Sequence, residues 1–180
     1  MHLSLEQTAL LLTQGNVVAV PTETVYGLAA CVDQPTAIQQ IFLLKNRPAD
    51  NPLIIHVAHK EQIAAFVEGV PPDFERLAAA FWPGPLTLVI PVVEENVPTL
   101  VRAGLSTAAF RVPMHPVTRQ LLEITGPLVM PSANLSGRPS ATSAEHVEVD
   151  FGKDFPVLNG GPCEKGVEST ILIFQEGSWK

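Results

Sequence analysis

Cysteine is scarce. The chain has two, Cys31 and Cys163, without the paired spacing of a zinc site. They read as free thiols. Charge is scarce as well: charged residues make up 16% of the sequence, with 11 Lys plus Arg against 18 Asp plus Glu and a formal net charge of -7. That balance disfavours the broad basic footprint that grips a nucleic-acid backbone, but it leaves room for a small anion held by a few local cations. No apolar run is long enough to span a bilayer, and no charged start followed by an apolar core marks a signal peptide. The expectation is a soluble cytoplasmic protein with no membrane partner. There is no P-loop pattern and no strand-linked GxGxxG, so neither of those nucleotide folds is supported. Paired catalytic carboxylates, metal-ligand side-chain clusters and nucleophile triads are absent. So are internal repeats, low-complexity tracts and domain linkers.

What is present suits a single domain over 1–180. Its 46% apolar residues are enough for a real core, and its 17 prolines are scattered between apolar runs as loop punctuation. Ser4 to Gln14 predicts a helix, with Ser4 and Gln7 at capping-box spacing and Gly15 closing the end. Val17 to Val20 is an unbroken apolar run, the pattern of a buried strand, and it empties into the polar loop Pro21 to Gly27. Pro35 to Leu44 predicts a second helix. Strands are predicted at Leu53–Val57, Leu86–Pro91, Thr107–Val112, Leu128–Met130 and Ile171–Phe174. Helices are predicted at Lys60–Val67, Asp73–Trp82, His115–Thr125 and Ser143–Val149, and Glu94 to Asn96 reads as a solvated loop.

Against the sparse charge, the stretch Lys45-Asn46-Arg47-Pro48-Ala49-Asp50-Asn51-Pro52 stands out. Pro48 disfavours a helical Arg47, so the second helix ends there and two cations emerge together. They suit either a helix C-terminus or an anion. In Thr107 to Val112, strand alternation puts Ala108, Phe110 and Val112 on the core face and Thr107, Ala109 and Arg111 on the other. A hydroxyl, a small residue and a guanidinium in line form a surface on which an anion can lie. Ser132 and Asn134, just past a strand, offer neutral donors and acceptors suited to phosphate oxygens or hydrated magnesium. Cations, hydroxyls and amides with no evident base describe a site that positions anions and activates a phosphate electrostatically. The residues lead to an anion or nucleotide site on an α/β sheet and leave the substrate open.

Six segments occur together and in order: Pro21-Thr22-Glu23-Thr24-Val25-Tyr26-Gly27-Leu28; Lys45-Asn46-Arg47-Pro48 with Asn51-Pro52-Leu53 and His56; Trp82-Pro83-Gly84-Pro85-Leu86-Thr87; Arg111-Val112-Pro113; Pro131-Ser132-Ala133-Asn134-Leu135-Ser136-Gly137; and Gly166-Val167-Glu168-Ser169-Thr170. The set resembles the YrdC-like family of threonylcarbamoyl-adenylate synthases over nearly the whole chain. The resemblance implies a twisted, open, mixed α/β sheet with flanking helices and a concave ligand surface. It also implies a nucleotidyl-transfer reaction in which L-threonine, bicarbonate or carbon dioxide, and ATP give threonylcarbamoyl-AMP and pyrophosphate. The product would serve N6-threonylcarbamoylation of adenosine 37 in tRNA.

Carried over residue by residue, Thr24, His56, Arg111 and Ser169 are the implied threonine subsite, with Thr22 or Tyr26 able to share the role of Thr24. Lys45, Arg47, Asn51, Thr107, Ser132, Asn134 and Thr142 are the implied nucleotide subsite. Lys45 and Arg47 are the implied catalytic cations, and magnesium is expected with ATP near Ser132 and Asn134. The implied partners are threonine, bicarbonate or carbon dioxide and ATP, with weak tRNA contact and downstream threonylcarbamoyl-transfer proteins beyond them. Members of this type usually continue with an Arg-Pro-Gly segment whose arginine meets the nucleotide. This sequence stops at Lys180, so either the enzyme is short or the chain is a fragment of a longer one. Two other readings stay open: a non-catalytic RNA-binding module, and a carbamoyl-adenylate-forming domain of the kind found in larger carbamoyltransferases.

Overall fold

Short apolar runs become strands buried from both sides. The computed structural model describes residues 1–180. In β2 (Val18–Val20) and β3 (Gly27–Cys31) every residue is buried. Val18, Val20, Ala29 and Cys31 pack into one apolar cluster, while Ala19, Leu28 and Ala30 pack into a second on the opposite face. Burial on both faces explains why the run at β2 does not alternate.

The remaining strands are β1 (His2–Leu3), β4 (Ile54–His56), β5 (Leu86–Pro91), β6 (Thr107–Arg111), β7 (Leu128–Val129), β8 (Val157–Leu158), β9 (Thr170–Gln175) and β10 (Ser178–Trp179). They form one ten-stranded sheet in the order β1-β8-β2-β3-β7-β4-β6-β5-β9-β10. The sheet is mixed: β4 pairs parallel with β6, and β5 parallel with β9, whereas β5–β6 and β4–β7 are antiparallel.

Helices α1 (Leu5–Thr13) and α5 (Pro116–Thr125) cover one face over β2 and β3, with Leu12, Leu121 and Leu122 at the contact. The opposite face holds the larger core, supplied by α2 (Pro35–Lys45), α3 (Phe74–Phe81), α4 (Thr99–Arg102) and α6 (Ala144–Phe151) through Ile38, Ile41, Phe74, Ala78, Val101, Ala144 and Val147. Over β4, β6, β5 and β9 the first face has no helix on it. The core-facing residues there are Ile55, Ala108, Phe110, Leu88 and Ile90; the alternate residues face a cleft. No helix is long and apolar enough to cross a membrane.

Several predicted elements take a different form. Lys60–Ala65 is a 3-10 helix, and Glu94–Asn96 is a single 3-10 turn rather than an irregular loop. Strand β3, helix α4 and the two-residue strands β1, β8 and β10 have no counterpart in the sequence-based expectation. Helix α2 ends as Pro48 requires. Asn46 adopts a left-handed conformation (φ 51°), and the Arg47 amide closes the turn on the Phe42 carbonyl at 3.0 Å.

Candidate functional site

The uncovered sheet face forms the floor of a cleft of about 480 Å³. Eight of the eleven predicted site residues line it: Thr24, Arg47, Asn51, His56, Thr107, Arg111, Ser132 and Ser169. Strand register explains part of this convergence. His56 and Arg111 are direct partners on β4 and β6, and Thr107, Ala109 and Arg111 share the cleft-facing side of β6.

Arg111 is 3% exposed, far from the solvent-facing arginine that a half-buried strand alone would suggest. Its Nε donates to the Gly84 carbonyl at 3.2 Å, Nη1 to Thr24 Oγ1 at 3.0 Å, and Nη2 to Glu23 Oε1 at 2.6 Å. Of the five N–H donors in a guanidinium, three are thus committed and two remain for a ligand. Gly84 holds its carbonyl there by close packing: a Cβ added to it would lie 2.4 Å from the Phe81 carbonyl oxygen. The Trp82–Thr87 motif therefore acts on the site indirectly, by fixing the arginine.

Proton accounting defines the hydroxyls. Thr22 Oγ1 donates its one proton to the Val25 carbonyl at 2.6 Å and accepts from the amides of Thr24 and Val25. Thr22 has no second proton to give, so any hydrogen bond in its 2.9 Å contact with Thr24 Oγ1 runs from Thr24 and shares a Thr22 lone pair with those amides. Thr24 Oγ1 already accepts from Arg111 and keeps one lone pair. Ser169 Oγ lies 2.7 Å from Thr87 Oγ1, which anchors it at the start of β9.

His56 is buried, and its Nδ1 meets the Ile54 carbonyl at 3.2 Å. Burial, then the nearby Arg111 charge, pushes its pKa down to about 3. The ring is neutral with its proton on Nδ1, so Nε2 presents an acceptor to the cleft.

The Lys45–Pro52 stretch divides between two levels. Arg47 stands on the cleft wall, steadied by hydrogen bonds from Nε to the Asn51 carbonyl at 3.2 Å and from Nη2 to the Pro52 carbonyl at 2.9 Å. Lys45 does not line the cleft. It is 1% exposed, and its ammonium donates to the backbone carbonyls of Ser132 and Asn134, at 2.6 Å for the latter. Burial, followed by repulsion from Arg47, lowers its pKa to about 8. Lys45 thus fastens the Pro131–Ser136 loop from below, an arrangement completed by the Ser136 amide on the Lys45 carbonyl at 2.9 Å. Asn134 is buried in the same loop, and its Oδ1 is a buried acceptor without a partner. Thr142 also lies off the cleft wall, with its hydroxyl 3.1 Å from His146 Nδ1. Tyr26 points elsewhere too, donating to the Gly161 carbonyl at 2.7 Å.

Two carboxylates were not assigned from the sequence. Glu23 sits behind Arg111, and Glu168 lines the cleft with Oε1 accepting from Ser140 Oγ at 2.5 Å. For Glu23 a signal existed: it is an acid between two threonines directly after a buried strand, where an unpaired charge could not remain.

A family model covering Sua5, YciO and YrdC proteins, described as Telomere recombination, matches residues 10–180. The chain belongs to the Sua5/YciO/YrdC family. Within this family it is 49% identical over 165 residues to a threonylcarbamoyl-AMP synthase of Pyrococcus abyssi, covering 91% of this chain and 48% of the relative. It is 36% identical over 171 residues to a threonylcarbamoyl-AMP synthase of Klebsiella pneumoniae, covering 90% of each. The crystal structure of P. abyssi Sua5 complexed with L-threonine superposes with a TM-score of 0.93 at 43% identity, over 99% of this chain and 54% of that one. The chain thus spans about half the length of the P. abyssi relative and about nine tenths of the shorter K. pneumoniae one. The sheet and open cleft of this Sua5/YciO/YrdC chain match the twisted, mixed α/β architecture expected from its motifs.

Proposed function

We propose that this chain carries out threonylcarbamoyl-AMP synthesis, joining L-threonine, bicarbonate or carbon dioxide, and ATP, with release of pyrophosphate. The observation that carries this reading is one cleft wall that combines two spare guanidinium N–H groups, a neutral histidine acceptor and a threonine lone pair, opposite a second cation, Arg47. The relatives' names and the threonine-bound P. abyssi structure support it.

The two spare N–H groups of Arg111 would receive the amino acid's carboxylate as a bidentate pair. The substrate hydroxyl would donate to His56 Nε2, with Thr24 and Ser169 completing the polar contacts. The ammonium then faces the open cleft, where it loses one proton to solvent to free the lone pair that adds to carbon dioxide, and a second proton leaves to solvent as the carbamate forms. A carbamate oxygen attacks the α-phosphorus, and pyrophosphate departs. No side chain has to take a proton at the reacting atoms. The protein's contribution is to hold two anions together and offset their repulsion.

Arg47 is the direct cation for the triphosphate, with Asn51, Thr107 and Ser132 along the same wall. Lys45 would act through the loop it fastens, adding positive charge beneath Ser132 and Asn134, and Thr142 would contribute from the same side. Magnesium would arrive with the nucleotide. Ser132, on the cleft wall, fits a hydrated ion bound mainly through phosphates, and the ion would neutralise triphosphate charge; Asn134, buried beneath it, would support that loop rather than meet the ion. The product would pass to threonylcarbamoyl transfer onto tRNA in the cytoplasm, and an acidic chain of net charge -7 suits brief rather than tight tRNA contact.

Calorimetry on two variants tests the division of the cleft. Arg47→Ala should weaken Mg-ATP binding by about 10-fold or more while leaving threonine affinity nearly unchanged; Thr24→Val should do the reverse. Equal losses for both ligands in both variants would contradict the assignment.

A further inference from the structure

We propose that Glu23 sets the charge of the carboxylate-binding wall and so selects a zwitterionic amino acid over a plain carboxylate; this rests on the threonine reading above. Glu23 and Arg111 are each 3% exposed and joined at 2.6 Å, and the second carboxylate oxygen of Glu23 accepts the Met114 amide at 3.0 Å. Arg111 lines the cleft and Glu23 does not. The cation therefore faces the ligand and the anion lies behind it.

The pair sums to zero charge before anything binds. A plain carboxylate on the two spare N–H groups leaves this recess with one net negative charge. A zwitterion adds none, because its ammonium travels with its carboxylate. Glu23 and Arg111 are themselves almost wholly buried, so at their end of the cleft the difference is weakly screened. No neighbouring charge pairs with the Arg111–Glu23 couple: His56 is held neutral, Arg47 keeps its charge but is fixed on the Asn51 and Pro52 carbonyls, the ammonium of Lys45 is bound under the Ser132 loop, and Glu168, the other carboxylate on the cleft, is held by Ser140 and itself disfavours a plain carboxylate. Without Glu23, Arg111 would present an uncompensated charge and hold any carboxylate of suitable size. Glu23 is thus a positioning and specificity-determining residue. It acts through the guanidinium, whose plane it fixes together with Gly84 and Thr24.

The test measures affinities for L-threonine and for (R)-3-hydroxybutanoate, the same skeleton without the amine, by calorimetry in wild type, Glu23→Gln and Glu23→Asp. In wild type, threonine should bind more tightly by about 10-fold or more. In Glu23→Gln the ratio should fall toward unity because the plain carboxylate gains affinity, whereas Glu23→Asp, which keeps the charge, should preserve it. A Gln amide opposes one of the two donors that Glu23 satisfies, so thermal melting accompanies each measurement. If Glu23→Gln does not fold, the wild-type and Glu23→Asp ratios decide: equal affinity for the two ligands in wild type, or loss of the preference in Glu23→Asp, overturns the inference. A proportional loss of both ligands in Glu23→Gln, with the ratio intact, also overturns it by showing a merely structural role. Failure of the wild type to bind either ligand refutes the threonine reading itself and takes the inference with it.

Discussion

At the scale of single residues, the site is governed by which charges are buried and what meets them. Arg111 is a buried cation held by a buried carboxylate, so removing it does more than empty a ligand contact. Arg111→Ala leaves Glu23 buried and unpaired, and it should cost about 3–5 kcal/mol of folding stability in denaturant titration as well as threonine binding. His56 makes a prediction of its own. Its pKa in the folded protein is near 3, against an ordinary value of 6.5, so between those limits the unfolded chain holds a proton that the folded chain lacks. Stability contributed by the neutral ring is complete above about pH 6.5 and falls as the pH drops toward 3. Melting temperature against pH should therefore decline more steeply in wild type than in His56→Gln across that window. Parallel profiles would contradict a buried neutral histidine. Placement at this scale was partly legible in the sequence: strand alternation put Arg111 and Thr107 on one side of β6, and Thr24, His56 and Ser169, named from the motifs, line the same cleft. The depth of Lys45 was not read. The clue was its spacing, since Lys45 follows Ile38 and Ile41 by seven and four positions and so lies on the buried stripe of α2.

At the scale of elements, the turns hold the chemistry in place. The Trp82–Thr87 turn supplies the Gly84 carbonyl to Arg111, and only a residue without a side chain fits there. Gly84→Ala should destabilise the fold by about 1–3 kcal/mol through overpacking and should weaken threonine binding along with it. Denaturant melts paired with calorimetry check both halves. A variant that melts like wild type and binds normally would show that the turn does not position the arginine. Elements long enough to carry a period were readable, including α1 with its capping box, α2 with its proline stop, and β5 and β6. Strand β3, Gly27-Leu28-Ala29-Ala30-Cys31, was not, because it has no β-branched residue and is held by its partners β2 and β7. The two-residue strands β1, β8 and β10 exist only as pairings with neighbours, so no local signal could reveal them.

At the scale of the whole molecule, function follows from an unevenly covered sheet. Helices α1 and α5 shield one face over β2 and β3 and leave it bare over β4, β6, β5 and β9, which makes a floor for ligands. The overall charge is -7, yet the cleft is locally close to neutral: Arg47, Arg111 and Glu168 line it, and Glu23 stands behind Arg111. The two ends should respond differently to salt. On the proposed division of the cleft, Mg-ATP affinity, assigned to Arg47, should weaken with ionic strength more than threonine affinity, assigned to the neutral Arg111–Glu23 pair. Which part of the sheet stays uncovered depends on long-range packing and was not legible in the sequence, whereas the sum of its motifs was. The central claim is the reaction itself, and pyrophosphate release by the purified chain tests it most directly. With Mg-ATP in excess, release should require both L-threonine and bicarbonate and stop when either is withheld; pyrophosphate formed at the same rate without threonine, or none formed with all three present, would contradict it.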